Sequence, residues 1–295
     1  MCLKLAHRLT ASGRDYANDI LHVIHHDSVG SKDVPLVAIA HSLGGTAMVH
    51  LAALYPRLFS QMVLIEPMIM TRLGHDLMIT LFSYATIAKT DIWPSREAAE
   101  QFFRTTKPYR SWDPRVREQM LQHGIRVRTG GDGEVELVTS KHQEAVSYAR
   151  PTNADFSAWE LPAIGAALAL VPFLKPPVSY VFGGKSMLLT ADKRADLMRT
   201  TGTGLGGSGG AAAQMVTEAE IKTGGHTIPL DAVDECAEMV ASAMMRELSR
   251  PADEVGRLAQ RSFEPGTSKV SEAWRTGVKK GAEAMRRTRM VGTKL

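Results

Sequence analysis

Hydrophobic and polar positions along the chain follow first a helical period and then a strand period. Over residues 14–26, Tyr16, Ala17, Ile20, Leu21 and Ile24 fall at helical spacing, which predicts an amphipathic helix. Val34 to Ala40 is a short apolar run that predicts a buried strand. Leu43 to Leu54 predicts a helix stopped near Tyr55-Pro56, and Met62-Val63-Leu64-Ile65 a second buried strand ending at Glu66-Pro67. Strand, helix, strand in this order is a parallel unit of an α/β sheet, so the fold class is α/β with a mostly parallel sheet.

From Met68 to about Arg150 the pattern becomes helical and irregular. Ser95 can cap a helix running through Phe103. Asp113-Pro114 is a cap with proline at the first helical position, closed by Gly124. Ile125 to Leu137, with Gly130-Gly131-Asp132-Gly133 in its middle, predicts a hairpin. The sheet resumes at Val178 to Phe182, followed by a helix near Asp192 to Arg199, a last strand over Met215 to Ile221 and a long helix over Ala232 to Leu248. The expected organisation is a core formed by residues 1–67 and 155–250, a lid at 68–154 inserted between its strands, and a basic helical extension at 251–295.

Composition narrows the function classes. At 295 residues the chain can bury one large core with an insertion, or form two domains. The longest apolar run, Leu161 to Leu174, contains Pro162 and Pro172 and is too short to span a bilayer. Met1 to Thr10 lacks the long apolar core of a secretory signal. Cys2 and Cys236 do not suggest a disulfide framework, so a reducing compartment is expected. The net charge of +4 is local: residues 246–295 carry twelve Lys/Arg against six Asp/Glu, leaving the rest near −2. A basic tail does not make the main domain a nucleic-acid binder, and no zinc-ligand spacing or RNA-binding signature is present. No cofactor or metal is expected.

Candidate chemistry starts at Val34-Pro35-Leu36-Val37-Ala38-Ile39-Ala40-His41-Ser42-Leu43-Gly44-Gly45, an apolar strand running into a serine between small residues and then into a helix. This is the nucleophile-elbow pattern, with Ala40 where G-x-S-x-G has its first glycine. A serine hydroxyl is a poor nucleophile unless a tight strand-to-helix turn exposes it beside a base. Gly44 and Gly45 let the helix start close to the strand. The Leu43 amide, at the helix's positive end, can donate to an oxyanion formed at Ser42.

Such a serine needs a base and an orienting carboxylate, in the chain order serine, acid, histidine. His226 is the expected base: it follows the last strand, Gly224-Gly225 frees its loop, and a long helix comes after. His41 is read as packing, with its side chain pointing away from Ser42. The loop after Val178 to Phe182 is Gly183-Gly184-Lys185-Ser186 and holds no carboxylate, so Glu66, at the end of the preceding strand, is the expected acid, with Asp192 as the alternative. Gly202-Thr203-Gly204-Leu205-Gly206-Gly207 matches G-x-G-x-x-G, but no strand precedes it. A mobile surface loop is the expectation there.

With these residues placed, the chain resembles the fungal peroxisomal branch of the α/β-hydrolase superfamily, a group of host-selective toxin biosynthesis proteins and mycophenolic acid-pathway acyl-coenzyme A hydrolases. The resemblance is carried by Ala40-His41-Ser42-Leu43-Gly44-Gly45, Val63-Leu64-Ile65-Glu66-Pro67, Ser111-Trp112-Asp113-Pro114-Arg115-Val116, Gly184-Lys185-Ser186, the glycine-rich stretch Thr201 to Gly210, and Gly224-Gly225-His226. It implies an α/β-hydrolase fold, an ester or acyl-coenzyme A thioester as substrate, and a setting in secondary metabolism. It also implies an acid after the strand that follows the elbow helix, usually aspartate, which matches Glu66.

The resemblance sets expectations for both ends of the chain. The family's fold has four further strands before the elbow strand, so an N-terminally incomplete fold is expected. The apolar edge of Val34 to Ala40 would then be bare and prone to aggregation. A noncatalytic ligand- or partner-binding protein is the alternative to a hydrolase. Thr293-Lys294-Leu295 resembles the Ser-Lys-Leu peroxisomal address, which implies an import receptor as partner and a peroxisomal location, with the cytoplasm as the alternative. Upstream, Val270, Trp274, Val278, Ala282 and Met285 form a helical stripe expected to pack on the body or on a second copy in a homodimer.

Overall fold

Four parallel strands form the main sheet of the computed structural model: β1 (Val37–His41), β2 (Gln61–Ile65), β3 (Val178–Gly183) and β4 (Val216–Ile221), in the order β1-β2-β3-β4. The structure describes residues 13–26, 35–70, 82–148, 150–151, 159–160, 162–249 and 272–291. Residues 1–249 and 250–295 form two separate units. Register is continuous across the sheet: Ile39 sits beside Val63, Leu64 beside Tyr180, and Tyr180 beside Glu218.

Both faces of the sheet are covered, and the two-residue period of the strands decides which side chain goes where. Met62, Leu64, Val178, Tyr180 and Phe182 point into one core, shared with α1 (Gly13–His26), α2 (Leu43–Leu54) and α3 (Pro162–Leu170). Val63, Ile65, Val181 and Ile221 point into the other, which also holds Cys236 and Ala243 of α5 (Val233–Leu248). β2 and β3 are buried along their whole length and are mostly apolar, with Gln61 and Ser179 as polar members. A helix α4 (Ala191–Thr200) precedes β4, and its Leu197 joins the first core.

The edges differ. At β4, Thr217 and Ala219 are half-buried while Glu218 and Glu220 are exposed, and Glu220 pairs with Arg194 of α4 at 2.9 Å. β1 pairs with β2 alone among the described residues, and its Ile39 is 51% exposed.

Between β2 and β3 the chain inserts a segment with its own core. A helix over residues 82–88 comes first. Ser95 accepts from Ala98 N at 3.2 Å and caps Arg96–Thr105; Asp113 accepts from Arg115 N at 2.8 Å and caps Pro114–His123, which ends at Gly124. The expected hairpin is Ile125–Val127 with Val135–Leu137, and Ile92–Trp93 adds a third strand that the sequence pattern does not announce. Trp93, Phe103, Leu121, Ile125, Val135 and Leu137 pack together, with Phe102 and Tyr109 against them.

The glycine-rich loop lies at the surface as expected, with Leu205 74% exposed, and the correction concerns how it is held. It is not loose: Gly202 N donates to Val171 O at 3.1 Å, Gly204 N to Pro172 O at 2.7 Å and Ser208 N to Leu174 O at 2.9 Å, and Thr201 and Ser208 are buried. A Cβ on Gly204 would lie 2.9 Å from the Phe173 ring, so glycine there serves close packing on the turn after α3.

Among the described residues no helix is long and apolar enough to cross a membrane. In the second unit the described element is the helix Glu272–Val291, whose residues 275–283 are exposed. Val270 and Thr293-Lys294-Leu295 lie outside the described residues, as does Cys2.

Candidate active site

Ser42 stands at the carboxyl end of β1 with φ 54° and ψ −122°, a backbone conformation that costs a non-glycine residue on the order of 1–3 kcal/mol. The turn is held from three sides. Ser42 N donates to Ile65 O at 3.0 Å, and Ser42 O accepts from Gly45 N and Met68 N, both at 3.0 Å. A Cβ on Gly45 would sit 2.7 Å from the Pro67 Cβ, so glycine is what lets α2 start against the end of β2. At Gly44 a Cβ would be an ordinary 3.7 Å from the Ala40 methyl, which explains why alanine is accommodated at the first position of the motif. Leu43 is the first residue of α2, where backbone amides have no partner within the helix, and its side chain packs with Met68, Met70, Leu188 and Phe82.

Glu66 is fully buried one residue beyond β2, also with positive φ, at 44°. Its backbone N–H donates to Val181 O at 2.9 Å. A buried carboxylate needs donors on its oxygens, and three converge here. Gly183 N donates to Oε1 at 2.7 Å, while the Ser186 hydroxyl and His226 Nδ1, at 3.3 Å, both address Oε2.

His226 lies between the two. Its Nε2 is 2.8 Å from Ser42 Oγ. With Nδ1–H directed at the carboxylate, Nε2 is left as acceptor for the serine hydroxyl. The loop carrying it passes over the end of β3, where a Cβ on Gly183 would come within 2.7 Å of the Gly224 carbonyl oxygen; only glycine leaves room. Lys185 N donates to Gly224 O at 2.9 Å, and after Thr227 the chain turns into the short helix Ile228–Asp231. The inserted segment reaches this region too, because Asp113 N donates to Leu230 O at 2.7 Å.

The structure therefore brings Ser42, His226 and Glu66 into one hydrogen-bonded line at the carboxyl ends of β1 and β2. Asp192 sits in the first turn of α4, and the carboxylate on His226 Nδ1 is that of Glu66. His41 is a correction. Expected to serve only as packing, its imidazole Nε2 instead donates to the His226 carbonyl oxygen at 2.7 Å, and the two rings lie 5.1 Å apart. The loop beyond β4 folds back across the strand ends, which places the His226 backbone over the end of β1. Burial pushes the His41 imidazole pKa down. Ser186 and Gly183 are further members that sequence reasoning did not single out for the site. The only signal was the Gly184-Lys185-Ser186 turn among the resemblance motifs.

Residues 5–239 match the model of the alpha/beta hydrolase family. Abhydrolase domain-containing protein AFT2-1 of Alternaria alternata is 29% identical over 218 residues, covering 70% of this chain and 82% of that protein. The type I acyl-CoA thioesterase mpaH of Penicillium brevicompactum is 27% identical over 287 residues, covering 82% of this chain; the chain spans 65% of that protein's length. Among solved structures, the peroxisomal alpha-beta-hydrolase Lpx1 of Saccharomyces cerevisiae superposes with a TM-score of 0.64 at 16% identity, over 95% of this chain and 70% of that one. The thioesterase domain from the curacin biosynthetic pathway gives 0.54 at 16% identity, over 81% of this chain and 74% of that one. The two structures agree with the parallel sheet described above, and the family match spans the elbow, Glu66 and His226 alike: the chain belongs to the alpha/beta hydrolase family.

Proposed function

We propose that the chain is a serine hydrolase acting on an ester or an acyl-coenzyme A thioester, with Ser42 as nucleophile, His226 as base and Glu66 as orienting acid. The observation that carries this reading is His226, with Nε2 2.8 Å from Ser42 Oγ and Nδ1 3.3 Å from Glu66 Oε2.

The chemistry follows from those distances. As Ser42 Oγ attacks the substrate carbonyl carbon, its proton passes to His226 Nε2, and Glu66 stabilises the imidazolium while remaining ionised. The Leu43 amide donates to the oxyanion. Collapse of the tetrahedral intermediate expels the alcohol or thiol, which takes the proton from His226 and leaves an acyl group on Ser42. Water, deprotonated by the same imidazole, then releases the acid. Every proton is returned, so the reaction needs no cofactor.

A thioester is favoured because the mpaH relatives carry the name acyl-CoA thioesterase. Secondary metabolism is the setting the family resemblance implies. Thr293-Lys294-Leu295 supports a peroxisomal location through an import receptor. The inserted segment, whose Asp113 bonds the helix after His226, is suited to act as a lid. Free-thiol release from a panel of acyl-coenzyme A thioesters, set beside hydrolysis of p-nitrophenyl esters, tests the substrate class. Turnover lost in Ser42→Ala supports the reading, and turnover equal in both proteins overturns it. Deleting residues 293–295 should move a tagged protein from peroxisomes to cytosol; an unchanged distribution counts against the address.

A further inference from the structure

The imidazole of His41 has no role in the proton transfers above, yet its strongest contact is with the base. We propose that His41 is a positioning residue that ties the backbone of His226 to the strand carrying Ser42. The proposal rests on the serine-hydrolase reading of Ser42 and His226.

His41 and Ser42 are neighbours in the chain, so a bond from the His41 ring to the His226 carbonyl, at 2.7 Å, sets the base's own peptide against the nucleophile's own peptide. The base needs such a tie. Two glycines precede it, and nothing lies within 4 Å of a Cβ built on Gly225, so on that side no neighbouring group restrains the loop, whose Gly224 and Gly225 carbonyls rest on Gly183. Upstream, the loop is held at Gly224 O by Lys185 N, and downstream the Ile228–Asp231 turn begins after Thr227. The carbonyl that His41 holds lies between these two anchors. Freed, the ring could drift from Ser42 and from Glu66 together, and a displacement of about 1 Å can cost on the order of 100-fold in rate.

A neutral imidazole suits this place. Its donor sits at the end of a rigid ring, and the second ring lies 5.1 Å away. When His226 takes the serine proton, a cation at His41 would oppose it. Burial lowers the His41 pKa and outweighs the bond to the His226 carbonyl and the carboxylates of Glu66 and Asp231, which raise it, so the neutral ring is favoured. Neutral His41 with its proton on Nε2 donates without adding charge.

The test uses the full chain and two readouts. His41→Phe keeps a ring and removes the donor, His41→Leu is a second donor-free variant, and His41→Gln restores an N–H at similar reach. kcat and KM for p-nitrophenyl butyrate are measured alongside the far-downfield proton NMR signal of His226 Nδ1–H. Both donor-free variants should lower kcat about 10- to 100-fold with KM within about twofold, and should broaden that signal through solvent exchange. His41→Gln should recover both. Unchanged kcat and a sharp signal in either donor-free variant, or a glutamine variant as impaired as they are, overturns the proposal. Absence of Ser42-dependent hydrolysis in the wild-type chain would instead overturn the serine-hydrolase reading, and the proton signal would still decide the role of His41.

Discussion

The main sheet and the segment inserted between β2 and β3 are built on opposite terms. At the sheet's carboxyl ends, Ser42 and Glu66 both hold positive φ, a carboxylate is fully buried, and a glycine-bearing loop crosses the strands with no room for a Cβ at Gly183. Within the insert, no non-glycine residue among the described ones has positive φ. Its helices are capped by Ser95 and Asp113, its core is an aromatic cluster around Trp93 and Phe103, and its charges pair near the surface, as in Arg126 with Glu136 at 2.8 Å. Strain and buried charge are thus concentrated where the proposed chemistry lies, and the insert carries its stability in ordinary packing. The contrast predicts that changes at the strand ends remove activity at little cost in stability, and that changes in the insert do the reverse.

The largest effect is expected at Glu66. Glu66→Gln keeps the shape but can present the wrong partner to His226 Nδ1–H, and kcat should fall on the order of 10⁴-fold; steady-state assay with thermal melting shows whether the fold survives. Phe103→Ala empties the centre of the insert's core and should cost about 3–5 kcal/mol in denaturant unfolding. At temperatures where the variant is folded, hydrolysis of a small ester should stay within about threefold of wild type. A comparable loss of kcat would mean that the insert's core and the site are one unit. Gly183→Ala places a methyl against the Gly224 and Gly225 carbonyls. It should displace the His226 loop and lower kcat about 100-fold while the melting temperature falls by only a few degrees. Smallest is Ser95→Ala, which removes a helix cap and should cost about 1 kcal/mol with kcat unchanged.

The same contrast explains how much of the molecule is legible in its sequence. Elements set by local chemistry read out well. Leu43–Leu54 has the expected bounds, the Asp113 and Gly124 caps delimit one helix, and the apolar run Met62 to Ile65 is the buried strand expected of it. Ser42, Glu66 and His226 could be nominated because the elbow pattern fixes one position and chain order constrains the other two. What escaped depends on contacts distant in sequence. The reach of His41 across to residue 226, the Ser186 hydroxyl on Glu66 Oε2, and the ordering of the glycine-rich loop by Val171, Pro172 and Leu174 leave no local trace. Ile92–Trp93 is only two residues long, too short for any period to show.

The central claim is that Ser42 is a nucleophile activated by His226, and covalent labelling with a fluorophosphonate tests it most directly. Intact-mass measurement and peptide mapping should show one adduct, on Ser42, that is absent in Ser42→Ala and forms far more slowly in His226→Ala. No adduct on Ser42, or equal labelling of all three proteins, would contradict the account.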